Sequence, residues 1–436
     1  MTKPVAASSD PARLSRSRTF LAFFLTQFLG ALNDNLFKTA LSLLIAFRAS
    51  QQSQSESSIL VNLAAILFIL PFFLLSPRAG ALADLYPKVT LIQRIKLFEV
   101  GLMTLGIVGF YLGNVWWLLV ILFLMGVQST FFGPLKYSYL PEVLPRLQLV
   151  GANAMIQGST FVGIILGMIL AGVLFSLSDQ HLSGVWLACL GIAGAGYLAS
   201  RQMPRGPFTP LDHAQRRRGI IGLIKLARAQ PEVWRAIIGI SWFWLVGATY
   251  VTQLPNFVRF QLYADEQVFL LCLALFAIGI GGGALACNWL NRRSFGSNSV
   301  LFGLIGLLIA GIMLPLHVTG PQDSLLGLSE FLQTVDRWLL GWLFALGVSG
   351  GLYIVPLYTV LQVQSDQEHR SRMVAANNVM NALFMVVSAV AALLLLGGGM
   401  TIDQLFILLA LANLMTLGSF ALTDRRFLTR VQDLYR

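Results

Sequence analysis

Asn33, Asp34 and Asn35, with Lys38 one helical turn further on, interrupt a stretch that is otherwise almost entirely apolar, FLAFFLTQFLGALNDNLFKTALSLLIAF from Phe20 to Phe47. Residues four and seven apart share a helix face, so Gln27, Asp34 and Lys38 line up along one side. A helix entering near Thr19 brings Asp34 about 22 Å along its axis at ~1.5 Å per residue, in or just beyond the middle of a bilayer. A charge there costs roughly 2.5–3.5 kcal/mol, so it must face the protein interior and carry a partner. Two chemistries fit. Asp34 and Lys38 can neutralise each other within the helix, or Asp34 can meet a cationic group on a substrate, with Lys38 as its partner in the empty state. The depth of the site favours the second.

Further polar groups can join it. The fourth helix ends QSTFFGPLKYSYLPE, which offers Gln128, Ser129 and Lys136. Lys136 can hold a phosphate as a point charge or snorkel to the interface, and both readings stay open. Asn153 and Gln157, four apart, share a face of the fifth helix. The second half contributes Trp242, Thr249, Tyr250, Gln253 and Asn256 on the seventh helix, then Asn377, Asn378 and Asn381 on the eleventh. The expected interior is asymmetric, charged in the first half and lined with amides and hydroxyls in the second. Uncharged polar residues of this kind also serve as glue between helices.

The elements that must position these residues are transmembrane helices. Of 436 residues, 56% are hydrophobic and 11% are charged, less than half the charge usual in a soluble domain. Apolar runs of about 20 residues recur along the chain. Their spacing predicts an all-α membrane protein with twelve helices, near 19–47, 57–77, 90–112, 115–140, 149–177, 182–201, 233–260, 267–290, 296–317, 336–361, 372–397 and 402–423. Residues 1–18 form a polar, basic tail rather than a secretory signal, and 424–436 a second tail. Apart from Lys38, Arg48, Arg259 and Arg337, the 30 Lys and Arg residues are assigned to the termini or to the loops after even-numbered helices, which predicts that both termini are cytoplasmic. The formal charge of +11 is therefore read as loop charge, with no nucleic-acid partner. Cys189, Cys272 and Cys287 all fall inside spans, so neither a disulfide framework nor a metal site is expected.

Two six-helix bundles, 19–201 and 233–423, are joined by a basic cytoplasmic linker, 202–232. Its GIIGLIKLARA part can form a short amphipathic helix at the membrane surface, where anionic lipid is a possible ligand and plain orientation charge the simpler reading. GPLKYSYLPEVLPRLQLVGANAMIQ, from Gly133, aligns with VPLYTVLQVQSDQEHRSRMVAANNVMN, from Val355, matching Pro134 to Pro356 and Asn153 to Asn377. Such duplication at the fourth-to-fifth and tenth-to-eleventh corners resembles the six-plus-six architecture of the major facilitator transporters. GALADLYPKVTLIQRIK, read as the loop after the second helix, resembles their signature in Gly80, Asp84 and Lys88. Asp84 is then a conformational latch, with Arg370 and Arg372 at the start of the eleventh helix as its natural partners.

GALNDN in the first helix, FFGPLKYSYLPE in the fourth and GANAMIQGSTFVGIILG in the fifth resemble the bacterial lysophospholipid transporter family, most strongly over 20–170. FWLVGATYVTQLPNF looks more like the transporter part of members fused to an acyltransferase. The resemblance implies movement of lysophosphatidylethanolamine and lysophosphatidylglycerol from the outer to the inner leaflet of the bacterial inner membrane, with substrate entering sideways from the bilayer. It also implies a functional partnership with an acyltransferase/acyl carrier protein synthetase, no cofactor, and a monomer. By position, Asp34 and Lys136 match the family's charged residues, and Val251 stands where other members carry an arginine.

No catalytic reading competes. There is no nucleophile elbow, P-loop or HExxH pattern, and Gly281-Gly282-Gly283 lacks a following GKS/T, so close helix packing explains it better. None of His181, His213, His317 and His369 starts the H-x-x-x-x-D pattern of glycerolipid acyltransferases, so a separate enzyme is expected. The remaining alternatives are a proton-coupled antiporter of another amphiphilic solute or drug, and a membrane scaffold for acyltransferases.

Overall fold

The computed structural model describes residues 17–48, 54–144, 146–178, 181–205, 220–292, 299–318, 324–365 and 370–423. Among these are twelve long helices: α1 Arg18–Leu43, α2 Gln54–Leu85, α3 Lys88–Leu112, α4 Val115–Val143, α5 Arg146–Leu177, α6 Ser183–Arg201, α7 Pro231–Phe260, α8 Glu266–Arg292, α9 Ser299–Leu316, α10 Arg337–Val363, α11 Arg370–Gly397 and α12 Ile402–Thr423. A π-turn, Leu44–Arg48, extends α1. Eleven of the twelve are long and apolar enough to cross a membrane. The exception is α1, whose apolar run is diluted by the amides and charges around Asp34.

Local chemistry sets the helix boundaries. α3 stops at Gly113, whose left-handed φ of 61° suits a residue without a side chain, and the Asn114 side chain then accepts from Trp117 N at 3.0 Å to start α4. Asp336 caps α10 through Trp338 N. Thr401 and Gln404 cap α12 reciprocally, each side chain accepting from the other's backbone N–H. α2 is longer than expected and runs through Gly80 and Asp84, so the signature lies mostly within a helix, with only Tyr86 and Pro87 between α2 and α3.

The chain forms two compact units. The first comprises Met1–Leu41 and Leu70–Arg217, the second Ser42–Ile69 and Arg218–Arg436. The boundary therefore differs from the expected division in one respect: the junction of α1 and α2 groups with the later helices. Within the second unit, Ser57 Oγ donates to Asn256 Oδ1 at 2.7 Å, Asn256 Nδ2 donates to Ser58 Oγ at 3.2 Å, and Arg259 donates to the Ala46 carbonyl. The polar segment after α9 is built in as well. Leu326 N donates to Tyr263 O, Asp265 N donates to Leu326 O, and Phe331 of the short helix Leu328–Thr334 is fully buried. The linker helix is Ile220–Arg228, which packs on α7 and α11 and exposes Ile221, Lys225 and Arg228.

Glycine governs the closest helix contact in the second unit. A Cβ at Gly279 or Gly283 of α8 would strike the Phe344 or Val348 carbonyl of α10, and one at Gly347 or Gly351 of α10 would strike the Phe276 or Ile280 carbonyl of α8. Two small-xxx-small faces thus meet reciprocally. Of the expected glycine run, only Gly283 is in the contact, since Gly281 and Gly282 face open space. Gly283→Ala should lower thermal stability by about 1–3 kcal/mol, whereas Gly281→Ala should leave it unchanged or slightly raised. Thermal unfolding of the purified variants checks this.

Candidate functional site

The first unit buries an ion pair that the sequence reading did not single out. Lys96 and Glu99, three apart on α3, are each 1% exposed, and Lys96 Nζ lies 2.6 Å from Glu99 Oε2. Lys96 is therefore not the loop charge expected from the sequence but a buried residue within α3. Glu99 lies eleven residues into α3, about 16 Å along it. Close packing leaves little freedom: a Cβ at Gly30 of α1 would come within 2.5 Å of the ammonium, Gly196 of α6 lies on another side, and the Phe132 ring centroid is 5.5 Å away.

Two amides complete the carboxylate's shell. Asn33 Nδ2 donates to Glu99 Oε1 at 3.0 Å, and Gln128 Nε2 donates to Glu99 Oε2 at 3.1 Å. Gln128 Oε1 in turn lies 3.0 Å from Ser129 Oγ, which is 2.6 Å from Asp34 Oδ2. α1, α3 and α4 are therefore joined by one continuous chain, Lys96–Glu99–Gln128–Ser129–Asp34, with Asn33 as a branch. Lys38 Nζ donates to Asn35 Oδ1 at 2.8 Å, and Asn35 Nδ2 is tied to the Ala31 carbonyl. Asp34 Oδ1 and Asn33 Oδ1 are buried without a hydrogen-bond partner. Unfilled acceptors at this depth are costly unless a guest supplies a donor.

A second chain in the same unit absorbs the other expected residues. Lys136 Nζ donates to Thr160 Oγ1 at 2.6 Å, and Thr160 Oγ1 lies 3.1 Å from Gln27 Oε1. Gln27 Nε2 donates to Ser159 Oγ and, at 3.3 Å, to the Ile156 carbonyl. Gln27 and Asp34 share a face of α1 but engage different helices, Gln27 meeting α5 and Asp34 meeting α4. Lys136 is 8% exposed, buried against α5 rather than reaching for an interface. The side chains of Asn153 and Gln157 lie outside those the structure describes.

The second half's residues mostly bind one another. Thr249 Oγ1 is 2.5 Å from Ser388 Oγ, and Ser241 donates to Asn381 Oδ1 at 2.9 Å, both between α7 and α11. Trp242 Nε1 donates to Asn413 at 2.7 Å. The Tyr250 ring packs against Phe406 with centroids 4.5 Å apart and planes tilted by 49°, and its buried hydroxyl, toward Gly311, has no hydrogen-bond partner. Gln253 Oε1 accepts from Asn256 at 3.2 Å, while Gln253 Nε2 has no partner. Asn377 is fully buried with neither amide atom bonded, and Asn378 is exposed. Here the polar residues act chiefly as interhelical glue.

Of the expected latch, Lys88 forms an ion pair with Glu142 of α4 within the first unit. The side chains of Gly80, Asp84, Arg370 and Arg372 lie outside those described. The three cysteines are buried and none is in a disulfide, and the described residues hold no group of three or more His, Cys, Asp or Glu suited to a metal ion.

These features define a polytopic membrane protein with ionisable groups held inside a helical bundle. The sequence matches the Major Facilitator Superfamily over residues 23–389, and the chain belongs to that family. It is 28% identical over 402 residues to "Lysophospholipid transporter LplT" of Klebsiella pneumoniae, covering 87% of this chain and 88% of the relative. The protein of the same name from Photorhabdus laumondii is 27% identical over 365 residues, covering 80% and 81%. Among solved structures, an auto-inhibited POT family peptide transporter superposes with a TM-score of 0.68 at 12% identity, covering 94% and 97%. An inward-facing bacterial homologue of the human lysosomal transporter Spinster gives 0.61 at 14%, covering 100% and 98%. The architecture expected from the duplicated corners is thus the one found.

Removing one member of the buried pair strands the other. Glu99→Ala should cost about 3–5 kcal/mol of stability, and Lys96→Met combined with Glu99→Met should recover a substantial part of that loss. Thermal melts of the three proteins measure it.

Proposed function

We propose that this protein is a lysophospholipid transporter, moving lysophosphatidylethanolamine and lysophosphatidylglycerol from the outer to the inner leaflet of a bacterial inner membrane. The observation that carries the reading is Asp34: a half-buried acid in an apolar bundle, anchored through one oxygen to Ser129, with its second oxygen buried and unfilled. A headgroup ammonium is the donor that oxygen lacks. The relatives named lysophospholipid transporter support this substrate class. In this reading Lys136 leaves Thr160 to take the phosphate, Asn35, Gln27 and Gln128 shape the polar surround, and the acyl chain stays against apolar helix faces. Asn153, Gln157, Thr249, Gln253, Asn377 and Asn381 take secondary roles, and Tyr250 a packing role. Alternating access with Asp84 as a latch, lateral entry of the lipid, cytoplasmic termini, a monomeric state and re-acylation of the product by a separate enzyme belong to the same proposal.

Inward movement of labelled lysophosphatidylethanolamine in proteoliposomes tests it. Asp34→Asn should slow movement by about tenfold or more, the effect of losing a charge-assisted contact of ~1.5–3 kcal/mol. Wild-type movement no faster than in protein-free vesicles would remove the lipid reading and favour another amphiphilic solute.

A further inference from the structure

The linker helix, Ile220–Arg228, takes no part in the site above, and its two faces differ in kind. On one side Ala227 is buried and Leu223, Ile224 and Leu226 are half-buried, where the helix packs on α7 and α11. On the other, Ile221, Lys225 and Arg228 follow at intervals of four and three along a single stripe. All three are exposed, Ile221 by 72%. A stripe turned to water has no use for an isoleucine between two cations. The combination suits a boundary that is apolar on one side and anionic on the other.

The place of the helix agrees with such a boundary. Only Ala229 and Gln230 separate it from Pro231, the first residue of the membrane-crossing helix α7. Hydrogen bonds from Ala229 N to Lys225 O, Gln230 N to Ala227 O and Trp234 N to Gln230 O hold that junction. The linker helix therefore lies at the end of a span, at the level of the membrane surface. Trp234, in the first turn of α7, stands at the depth where indole rings collect. The Arg228 guanidinium lies over its ring, 5.1 Å from the centroid, which fixes one cation at the boundary. Among the described residues neither Lys225 nor Arg228 forms an ion pair. Between residues 220 and 235 the only acid is Glu232, set against Lys225, Arg228 and Arg235, so the local charge is positive.

We propose that the exposed face of the linker helix binds anionic phospholipid of the leaflet it borders, with Ile221 entering the acyl boundary and Lys225 and Arg228 holding headgroup phosphates. Two cations alone would suit any phosphate in solution. Ile221 commits the face to a lipid, because burying it is favourable only where acyl chains lie beside the phosphates. The lipid is a bound neighbour and not the transported molecule, so the proposal stands whatever the cargo is.

Contact with lipid is read from bimane on Ala229→Cys in the full-length protein, position 229 being exposed and the three native cysteines buried. The vesicles contain phosphatidylcholine and phosphatidylglycerol, with bromine on the acyl chains of one or the other. Brominated phosphatidylglycerol should quench the label more strongly than brominated phosphatidylcholine, and excess inorganic phosphate should not alter this. Lys225→Gln combined with Arg228→Gln should abolish the preference, each cation contributing about fivefold in affinity. Lys225→Arg combined with Arg228→Lys should keep it, which separates charge from folding. Arg201→Gln, at an exposed cation ending α6, should keep it too. Equal quenching by the two lipids, or an equal loss in Arg201→Gln, would overturn the proposal and leave Lys225 and Arg228 as plain orientation charge. Quenching by neither lipid would overturn it by placing the helix away from the membrane. Loss of the preference in inorganic phosphate would overturn it in favour of a site for soluble anions.

Discussion

A charge removed from water inside a bilayer bundle has to be answered by another charge and by a full shell of hydrogen bonds. In this protein the Lys96–Glu99 pair sets that condition, and much of the first unit's interior is arranged to meet it. Gly30 and Gly196 leave room for the ammonium, the Phe132 ring faces it, and Asn33 and Gln128 fill carboxylate positions that Lys96 does not occupy. Because these groups come from α1, α3, α4 and α6, satisfying one carboxylate also fixes how four helices pack. Asp34 inherits its position from this arrangement: its anchor, Ser129, adjoins the glutamine that Glu99 orients. The site is polar because the pair beneath it must be.

The two units solve the packing of polar residues differently. In the first, ionisable groups are threaded through amides and hydroxyls, and the end of that chain is left unfilled at Asp34 Oδ1. In the second, hydroxyl and amide pairs join α7 to α11, the buried Asn377 amide and Gln253 Nε2 are left without hydrogen-bond partners, and glycine faces bring α8 and α10 into backbone contact. What sets the first unit apart is the continuous run from a buried ion pair to its open acceptor.

Much of this was legible in the sequence. Periodic apolar runs placed twelve helices within a few residues, apart from the extended α2. Asp34 stood out because a carboxyl in an apolar helix needs an explanation. Glu99 met the same criterion, eleven residues into α3 with Leu97, Phe98, Val100 and Leu102 around it, but its neighbour Lys96 was counted with the basic residues that set orientation. Periodicity could say that Gln27 and Asp34 share a face. It could not say that they engage different partner helices, because that depends on where α4 and α5 pack. Nor could it separate Tyr250 from a binding residue, since its burial against Phe406 is a tertiary contact.

Asp34 and Glu99 are joined as one hydrogen-bonded unit rather than standing as two separate acids. A double-mutant cycle measures this directly: thermal stability of wild type, Asp34→Asn, Glu99→Gln and the double variant in the same nanodiscs. One network predicts a coupling energy of about 1 kcal/mol or more. Additivity within ~0.3–0.5 kcal/mol would mean that the chain through Gln128 and Ser129 carries no energy between them, and would contradict the account.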